Sequence, residues 1–390
     1  MELLKFDING LKLYKSERFS FDFVAKQRAT DNNSDSLTNI FNRIYVHNVM
    51  SVVGINAVGK TTALSITNEI IKVYLSGEGF TDMQHAFIGK EFNIKVYLFD
   101  DNEKRIYLVN SELKKSEDNK FEFTNESIFE KGISGVTKKN LCDFSNSTAT
   151  LERNEIESGL LPDNFSVFRK ILNKSKRSNN KPESLYFNSF LSADYLLGQE
   201  FVSPEVLSYL DPSIEYFKVV DDTVDESKKQ YRLKFYSGNE LRINSVSELS
   251  QYFSSGTLKG IALFTVAWLI LETGSVLLVD ELENHFNKAI VKTFISIFQD
   301  KTINKNNAKL VFTTHYPELL DAFDRNDDVL IARRQEKMTL DNLAELLDRN
   351  DFKKSEVFES DYLGGTAPNY DLMMSVRKSF NKKFGNHDDK

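Results

Sequence analysis

The sequence has little of three residue types: one cysteine, Cys142, six prolines and 17 glycines in 390 residues. A single cysteine excludes a disulfide within the chain and a metal site built on cysteines, so a reducing compartment fits. The longest apolar run, near 261–271, is interrupted by Thr265 and falls short of the roughly 20 residues that cross a bilayer. The first residues lack a basic segment followed by an apolar one, so we expect no signal peptide. These absences predict a cytoplasmic protein with no membrane partner.

The charge balance is mild. The formal net charge is -7, from 57 acidic and 50 basic residues, which argues weakly against a protein coated in nucleic acid. Lysine-rich stretches occur at Lys114–Lys115, at Lys138–Lys139 and over 173–181. A solvated lysine face is the commoner outcome for such runs. A local nucleic-acid contact therefore stays open.

Two of the scarce glycines, Gly54 and Gly59, flank four residues and are followed by Lys60 and Thr61. A short apolar strand precedes this stretch, and an apolar helical pattern follows it, as a phosphate-binding P-loop requires. The loop N–H groups and the helix N-terminus would face phosphate oxygens. Lys60 would reach the β- and γ-phosphates, and Thr61 would ligate Mg²⁺. The candidate nucleotide-binding residues are Asn56, Ala57, Val58, Gly59, Lys60, Thr61 and Thr62.

A second candidate site element is the acidic pair Asp280 and Glu281, which ends the apolar run at 276–279. Ligands of open α/β sheets lie at the carboxyl ends of the strands. Asp280 would hold Mg²⁺ through water, and Glu281 would orient or deprotonate an attacking water. The alternative is that two acids only begin a helix; a P-loop in the same chain favours the catalytic interpretation.

Two further stretches carry weaker signals. The strand at 308–315 ends in His315, which could contact the γ-phosphate; a structural histidine at a strand end is the safer interpretation there, and for His285. Ser254 and Gly256 begin a helix and form a second candidate anion site. By itself such a start is only an N-cap.

The order of these elements resembles the ABC-type ATPases of the OLD/RecF/SMC branch, through the P-loop, the Ser-x-Gly helix start, "VLLVDELENHFN" and "FTTHYPELL". The resemblance covers roughly 51–75 and 250–320, and residues 111–230 match nothing in it. It implies an α/β fold of the ABC-type P-loop class, a mixed sheet with an antiparallel β lobe and an inserted helical region. Gln199 is the candidate, by position alone, for the glutamine that this family uses between lobes.

The resemblance also implies a mechanism. Two copies would sandwich ATP and Mg²⁺, with the P-loop of one facing Ser254 and Gly256 of the other, and hydrolysis at Glu281 with His315 would release them. We therefore expect an ATPase that acts as a homodimer, with a higher assembly left open. Stand-alone ATPases of this branch are associated with anti-phage defence and with a separate effector. The alternative is a RecF/SMC-like ATPase that acts directly on DNA.

The predicted organisation has four parts. They are an N-terminal ATPase lobe with the P-loop (1–110), an inserted helical or irregular region (111–230), a C-terminal ATPase lobe (231–335) and a tail (336–390). The tail has scattered acids without ligand spacing and is too short for the metal nuclease domain of OLD relatives, so we expect no nuclease. "LDNLAELLDRNDF" predicts a short amphipathic helix, and the Gly364-Gly365 turn precedes a second helix.

Overall fold

The structure is a computed structural model of the chain. It describes all residues except 31–34, 82–88, 118–119, 157–158, 176–183, 188–202, 222–228, 348, 350–351, 368–369 and 385–390. The strands are β1 (Glu2–Asn9), β2 (Arg18–Asp22), β3 (Leu37–Phe41), β4 (Ile44–His47), β5 (Val49–Val53), β6 (Glu91–Asp100), β7 (Arg105–Lys115), β8 (Phe121–Gly132), β9 (Ala149–Glu152), β10 (Ser184–Phe187), β11 (Ile214–Asp221), β12 (Lys229–Phe235), β13 (Leu241–Ile243), β14 (Val276–Val279), β15 (Lys309–Thr314), β16 (Val329–Arg334) and β17 (Met338–Asn342). The helices are α1 (Lys60–Ile71), α2 (Arg169–Ser175), α3 (Pro204–Leu210), α4 (Val246–Leu249), α5 (Ser255–Thr273), α6 (Lys288–Gln299), α7 (Leu343–Leu346), α8 (Lys354–Glu359) and α9 (Tyr370–Phe384).

The central sheet has the strand order β10-β14-β15-β5-β16-β17. Its strands are parallel except for β17, which runs antiparallel to β16. Every residue of β5, β14 and β15 is buried, which explains why these strands read as continuous apolar runs rather than alternating ones. The three strands were predicted from such runs, and the mixed α/β fold with a mixed sheet is confirmed.

Both faces of the central sheet are covered. Along β14, Val276 and Leu278 face a core shared with α1 and the antiparallel sheet, whereas Leu277 and Val279 face a core shared with α5 and α6. This is the alternation that the two-residue period of a strand requires. The layering fixes the sheet from both sides and leaves its carboxyl edge to carry a site.

The second sheet is antiparallel and has the order β2-β1-β6-β7-β8-β9. A short turn joins β6 and β7, which pair from Asp100 and Arg105 onward. The connection between β1 and β2 is longer: the two strands pair from Asn9 and Arg18, and the connection includes a single 3-10 turn. β12 and β13 form a further hairpin.

The predicted organisation differs from the structure at two boundaries. Residue 111 lies inside β7, and β8 continues the same sheet to Gly132, so the antiparallel sheet extends past the predicted end of the N-terminal lobe. Residues 338–342, which we placed in the tail, form β17 at the edge of the central sheet. The helix predicted from "LDNLAELLDRNDF" is reduced to the single turn α7, because its first residues pair with β16 instead.

Helix α5 is the one described helix that is long and apolar enough to cross a membrane, with 19 residues and a mean hydropathy of 1.3 over its most apolar window. A core helix can meet the same two criteria. Eight of its residues are buried, and these include Ala262, Val266 and Ile270 in the core beneath the central sheet. The apolar composition of α5 is therefore partly explained by packing.

Candidate functional site

The candidate residues meet at the carboxyl edge of three adjacent parallel strands. β15 lies between β5 and β14, and Thr314 pairs with Val53 while Phe312 pairs with Val279. The residues that follow these strands are Gly54, His315 and Asp280. Segments far apart in sequence thus end side by side, as expected for ligand sites of parallel sheets.

The loop between β5 and α1 presents unpaired donors. Gly59 caps α1 in the left-handed conformation, with φ 100°, and no side chain caps the helix. Among the hydrogen bonds of the described residues, none is donated by the backbone N–H groups of 56–61. Unpaired N–H groups combined with the positive end of a helix form a site for an anion.

The two glycines are also required by close neighbours within the chain. A Cβ on Gly54 would lie 2.5 Å from the carbonyl oxygen of Ala332 in β16, and a Cβ on Gly59 would lie 2.2 Å from Sδ of Met338 in β17. Part of the reason for glycine here is therefore packing against β16 and β17, in addition to the backbone conformation at Gly59.

Lys60 is folded back over the loop. Its Nζ donates to the carbonyl oxygens of Gly54 at 2.8 Å and Ile55 at 3.1 Å. Burial lowers the pKa of the Lys60 ammonium, and the carboxylates of Glu283, Glu281 and Asp280 oppose that shift. The charge is thus held over the loop without a carboxylate partner in direct contact among the described residues.

Asp280 is held from two sides. Its Oδ2 accepts a hydrogen bond from the Thr61 hydroxyl at 2.8 Å, and its Oδ1 accepts one from the Thr313 hydroxyl at 2.6 Å. The predicted metal ligands Thr61 and Asp280 are therefore in contact. A hydroxyl and a carboxylate oxygen are the hard donors that Mg²⁺ takes, so these two residues fit the ion.

Glu281 has a strained backbone, with φ 50°. Its N–H donates to the Thr313 hydroxyl at 2.7 Å, and its carbonyl oxygen accepts from Nζ of Lys259 at 3.3 Å. Burial lowers the pKa of Lys259, and the same three carboxylates oppose that shift. Lys259 in α5 was not among the predicted site residues, because a lysine near the start of a helix is ordinarily expected to face solvent.

His315 contacts a residue that the sequence did not single out. Oε1 of Glu283 accepts from the His315 backbone N–H at 2.7 Å and lies 2.7 Å from its Nδ1. Glu283 is buried, with 2% of its surface exposed. A third acid two residues after Glu281, with Leu282 between them, is the signal that could have identified it.

Ser254 and Gly256 lie at the start of α5. Ser254 caps α5 by accepting from the Thr257 N–H at 3.0 Å, and a Cβ on Gly256 would lie 2.6 Å from the carbonyl oxygen of His285. In the described part of the chain neither residue hydrogen-bonds to 54–61. Gln199 lies outside the described residues.

Comparison with known proteins identifies a family. Residues 49–321 match the family described as "AAA domain, putative AbiEii toxin, Type IV TA system". The solved SMC head domain from Thermotoga maritima is similar over 88% of this chain and 99% of that chain, with 14% sequence identity and a TM-score of 0.42. No curated protein matches the chain in sequence.

Proposed function

The chain belongs to this family of AAA domains, which are P-loop ATPases, and from that premise we propose that it binds ATP with Mg²⁺, hydrolyses it as a homodimer and regulates a separate effector in anti-phage defence. The observation that carries the ATPase part is the juxtaposition at one sheet edge of unpaired loop N–H groups, Thr61 and the acids 280 and 281. That set provides a phosphate cradle, a metal site and a carboxylate for water.

Each side chain has a proposed task. The 56–62 backbone cradles the phosphates, and Lys60 leaves the loop carbonyls for the β- and γ-phosphates. Thr61 and Asp280 would hold Mg²⁺, which neutralises phosphate charge when bound. Glu281 orients the attacking water and takes its proton. His315 contacts the γ-phosphate from the neighbouring strand.

The homodimer is proposed from the position of Ser254 and Gly256. The N-terminus of α5 is a second helix start suited to an anion, and it is not hydrogen-bonded to the P-loop of its own chain within the described ranges. A second copy facing head to tail would bring its Ser254 to the first copy's nucleotide. The γ-phosphate would then add contacts only across the interface, so ATP would favour the closed dimer.

A mixing experiment tests the composite site. Lys60→Ala inactivates the P-loop, and Ser254→Arg inactivates the helix start, so each variant alone should hydrolyse no ATP. A mixed dimer would contain one site with an intact P-loop and an intact Ser254. Recovery of ATP turnover on mixing supports the composite site. If mixed dimers form but hydrolyse no ATP, the composite site is contradicted.

The catalytic assignment is tested by Glu281→Gln. The change should abolish steady-state turnover, by on the order of 10²-fold or more for a lost general base, while the variant still binds ATP and accumulates as a dimer. Glu318→Gln is a matched control, because this exposed acid pairs with Lys288 outside the site. Unchanged turnover in Glu281→Gln would remove Glu281 from its role.

The effector and the defence role are supported by the resemblance of the motif order to ATPases of a branch that is associated with both. Purification of the native complex from its host should recover a distinct protein together with the ATPase. Recovery of duplex DNA alone, with binding that weakens steeply with salt, would favour the RecF/SMC-like alternative.

A further inference from the structure

Glu283 is buried and contacts His315, the histidine that follows β15. Its side chain is 1% exposed, whereas that of His315 is 39% exposed. Burial lowers the pKa of Lys60 and of Lys259, and the Glu283 carboxylate opposes that shift in both cases. The carboxylate therefore lies inside the site, behind the residues that face solvent.

The two oxygens of this carboxylate differ in their contacts. Oε1 accepts both contacts from His315, and Oε2 is buried with no hydrogen-bond partner in the described structure. A buried acceptor without a partner destabilises the folded protein. A group that served only to stabilise the fold would not be expected to keep that cost.

The contact with His315 fixes the ring next to the phosphate loop. Thr314 pairs with Val53, so His315 follows in register beside Gly54, and the Gly54 N–H reaches the Thr314 carbonyl at 3.4 Å. With Nδ1 held by Glu283, the free ring nitrogen is Nε2, which has no hydrogen-bond partner among the described residues.

We propose that Glu283 is a positioning residue for γ-phosphate recognition, holding Nδ1 of His315 so that Nε2 donates to the γ-phosphate. This inference rests on the proposed ATPase function. For both ring nitrogens to donate, each must carry a proton. ADP lacks the γ-phosphate, so the pair acts only on the triphosphate.

The test compares ADP with a non-hydrolysable ATP analogue in a binding assay. Glu283→Gln keeps the size of the side chain and an oxygen for the His315 N–H but removes the charge. It should weaken analogue binding by about 5- to 10-fold, a typical coupling between two contacting groups, and leave ADP binding unchanged. Single-turnover hydrolysis should fall by on the order of 10- to 100-fold, the effect of a misplaced catalytic contact.

A double-mutant cycle separates positioning from a general structural effect. In a His315→Ala background, Glu283→Gln should have no further effect on analogue binding, because the residue through which it acts is gone. Equal losses in both backgrounds, or a matching loss of ADP binding, would overturn the proposal. Glu318→Gln is the control for the same chemical change outside the site.

A spectroscopic measurement keeps the proposal testable if turnover is low. The Nδ1–H of His315 should give a hydrogen-bonded imidazole proton resonance, which His315→Ala identifies by its disappearance and Glu283→Gln should shift or abolish. An unchanged resonance in a folded Glu283→Gln protein would overturn the positioning role. If wild-type protein binds neither nucleotide, the proposed ATPase function fails while the resonance still reports on the pair.

Discussion

The Thr313 hydroxyl donates a 2.6 Å hydrogen bond to Oδ1 of Asp280. The same hydroxyl accepts the N–H of the next residue, Glu281, at 2.7 Å, and Thr313 is fully buried. One side chain of the middle strand therefore orients the carboxylate of the first acid and the backbone of the second. Thr313 therefore fixes the proposed metal ligand and the proposed base relative to each other.

Replacing this hydroxyl should damage catalysis more than folding. Thr313→Val keeps the shape but removes two buried hydrogen bonds, and should destabilise the protein by about 1–3 kcal/mol. The turnover rate should fall by on the order of 100-fold, because both acids lose a positioning contact. Thr314→Val is the matched control, since within the described ranges that hydroxyl accepts the Tyr316 N–H and contacts neither acid. Equal turnover in the two variants would contradict this role for Thr313.

Gly59 should tolerate alanine less well than a glycine that also has a positive φ but has no neighbouring atoms near an added Cβ. Gly59→Ala meets both a left-handed φ and Sδ of Met338, whereas Gly135→Ala meets only a φ of 70° with nothing within 4 Å. The φ penalty is about 1 kcal/mol for either, and overpacking adds about 1–3 kcal/mol at Gly59. Chemical denaturation measures both. Met338→Ala should recover the overpacking part alone, and failure to recover any stability would contradict the clash.

Nucleotide affinity should fall at alkaline pH because of Lys60. Its ammonium binds phosphate only when protonated, and burial lowers its pKa below the usual 10.5 in the nucleotide-free protein. Affinity should therefore begin to fall at a lower pH than an exposed lysine would dictate, and nucleotide binding should take up protons there. Titration with a fluorescent ATP analogue between pH 7 and 10 measures this. Lys60→Ala should bind weakly and without that pH dependence; the same slope in the variant would assign the effect to another group.

The sequence predicted the parts of the fold and site that depend on local pattern. Sequence alone reveals the glycine pair with Lys60 and the buried runs at β5, β14 and β15. In each case the residue types within a short stretch determine the local structure or the burial. The strand continuing past 110 was not predicted, because this part of the chain exposes polar side chains at Glu112, Lys114, Thr124 and Asn125. The role of Glu283 depends on a contact 32 residues away, which no local pattern encodes.

The buried charges at the opposite end of the sheet illustrate the same limit. The last residue of β4, His47, contacts two acids. Its Nδ1 lies 2.5 Å from Oδ1 of Asp328 and its Nε2 lies 3.7 Å from Oδ2 of Asp327. The ligand atoms of these three residues lie within 4.8 Å of one another, close enough for a metal ion. Arg325, however, already pairs with both oxygens of Asp327, at 2.9 and 2.7 Å.

Removing one member of this network should destabilise the protein without affecting the nucleotide site. His47 precedes β5 and Asp327 precedes β16, so both lie at the amino ends of strands whose carboxyl ends hold the site. Asp327→Asn leaves the fully buried Arg325 without its charge partner, and should lower the free energy of unfolding by about 3–5 kcal/mol. ATP affinity, measured under conditions in which the variant is fully folded, should be unchanged. A variant that is folded, as shown by a normal unfolding transition, but no longer binds ATP would contradict the separation of the two regions.

Low pH should weaken the ion pair between Asp327 and Arg325. Burial alone would raise the pKa of Asp327, but His47 and Arg325 outweigh it, so the pKa is lowered below its usual 3.8. An acid with a lowered pKa in the folded state contributes stability above its unfolded pKa, and this contribution is lost as pH falls through the folded value. Urea unfolding from pH 7 down to pH 3 should therefore show a steeper loss of stability in the wild type than in Asp327→Asn. Asp143→Asn is the control, because local hydrogen bonds to Ser145 and the charge of Lys131 lower the pKa of this exposed acid without a buried ion pair. Identical acid profiles for wild type and Asp327→Asn would show that the ion pair does not govern acid stability.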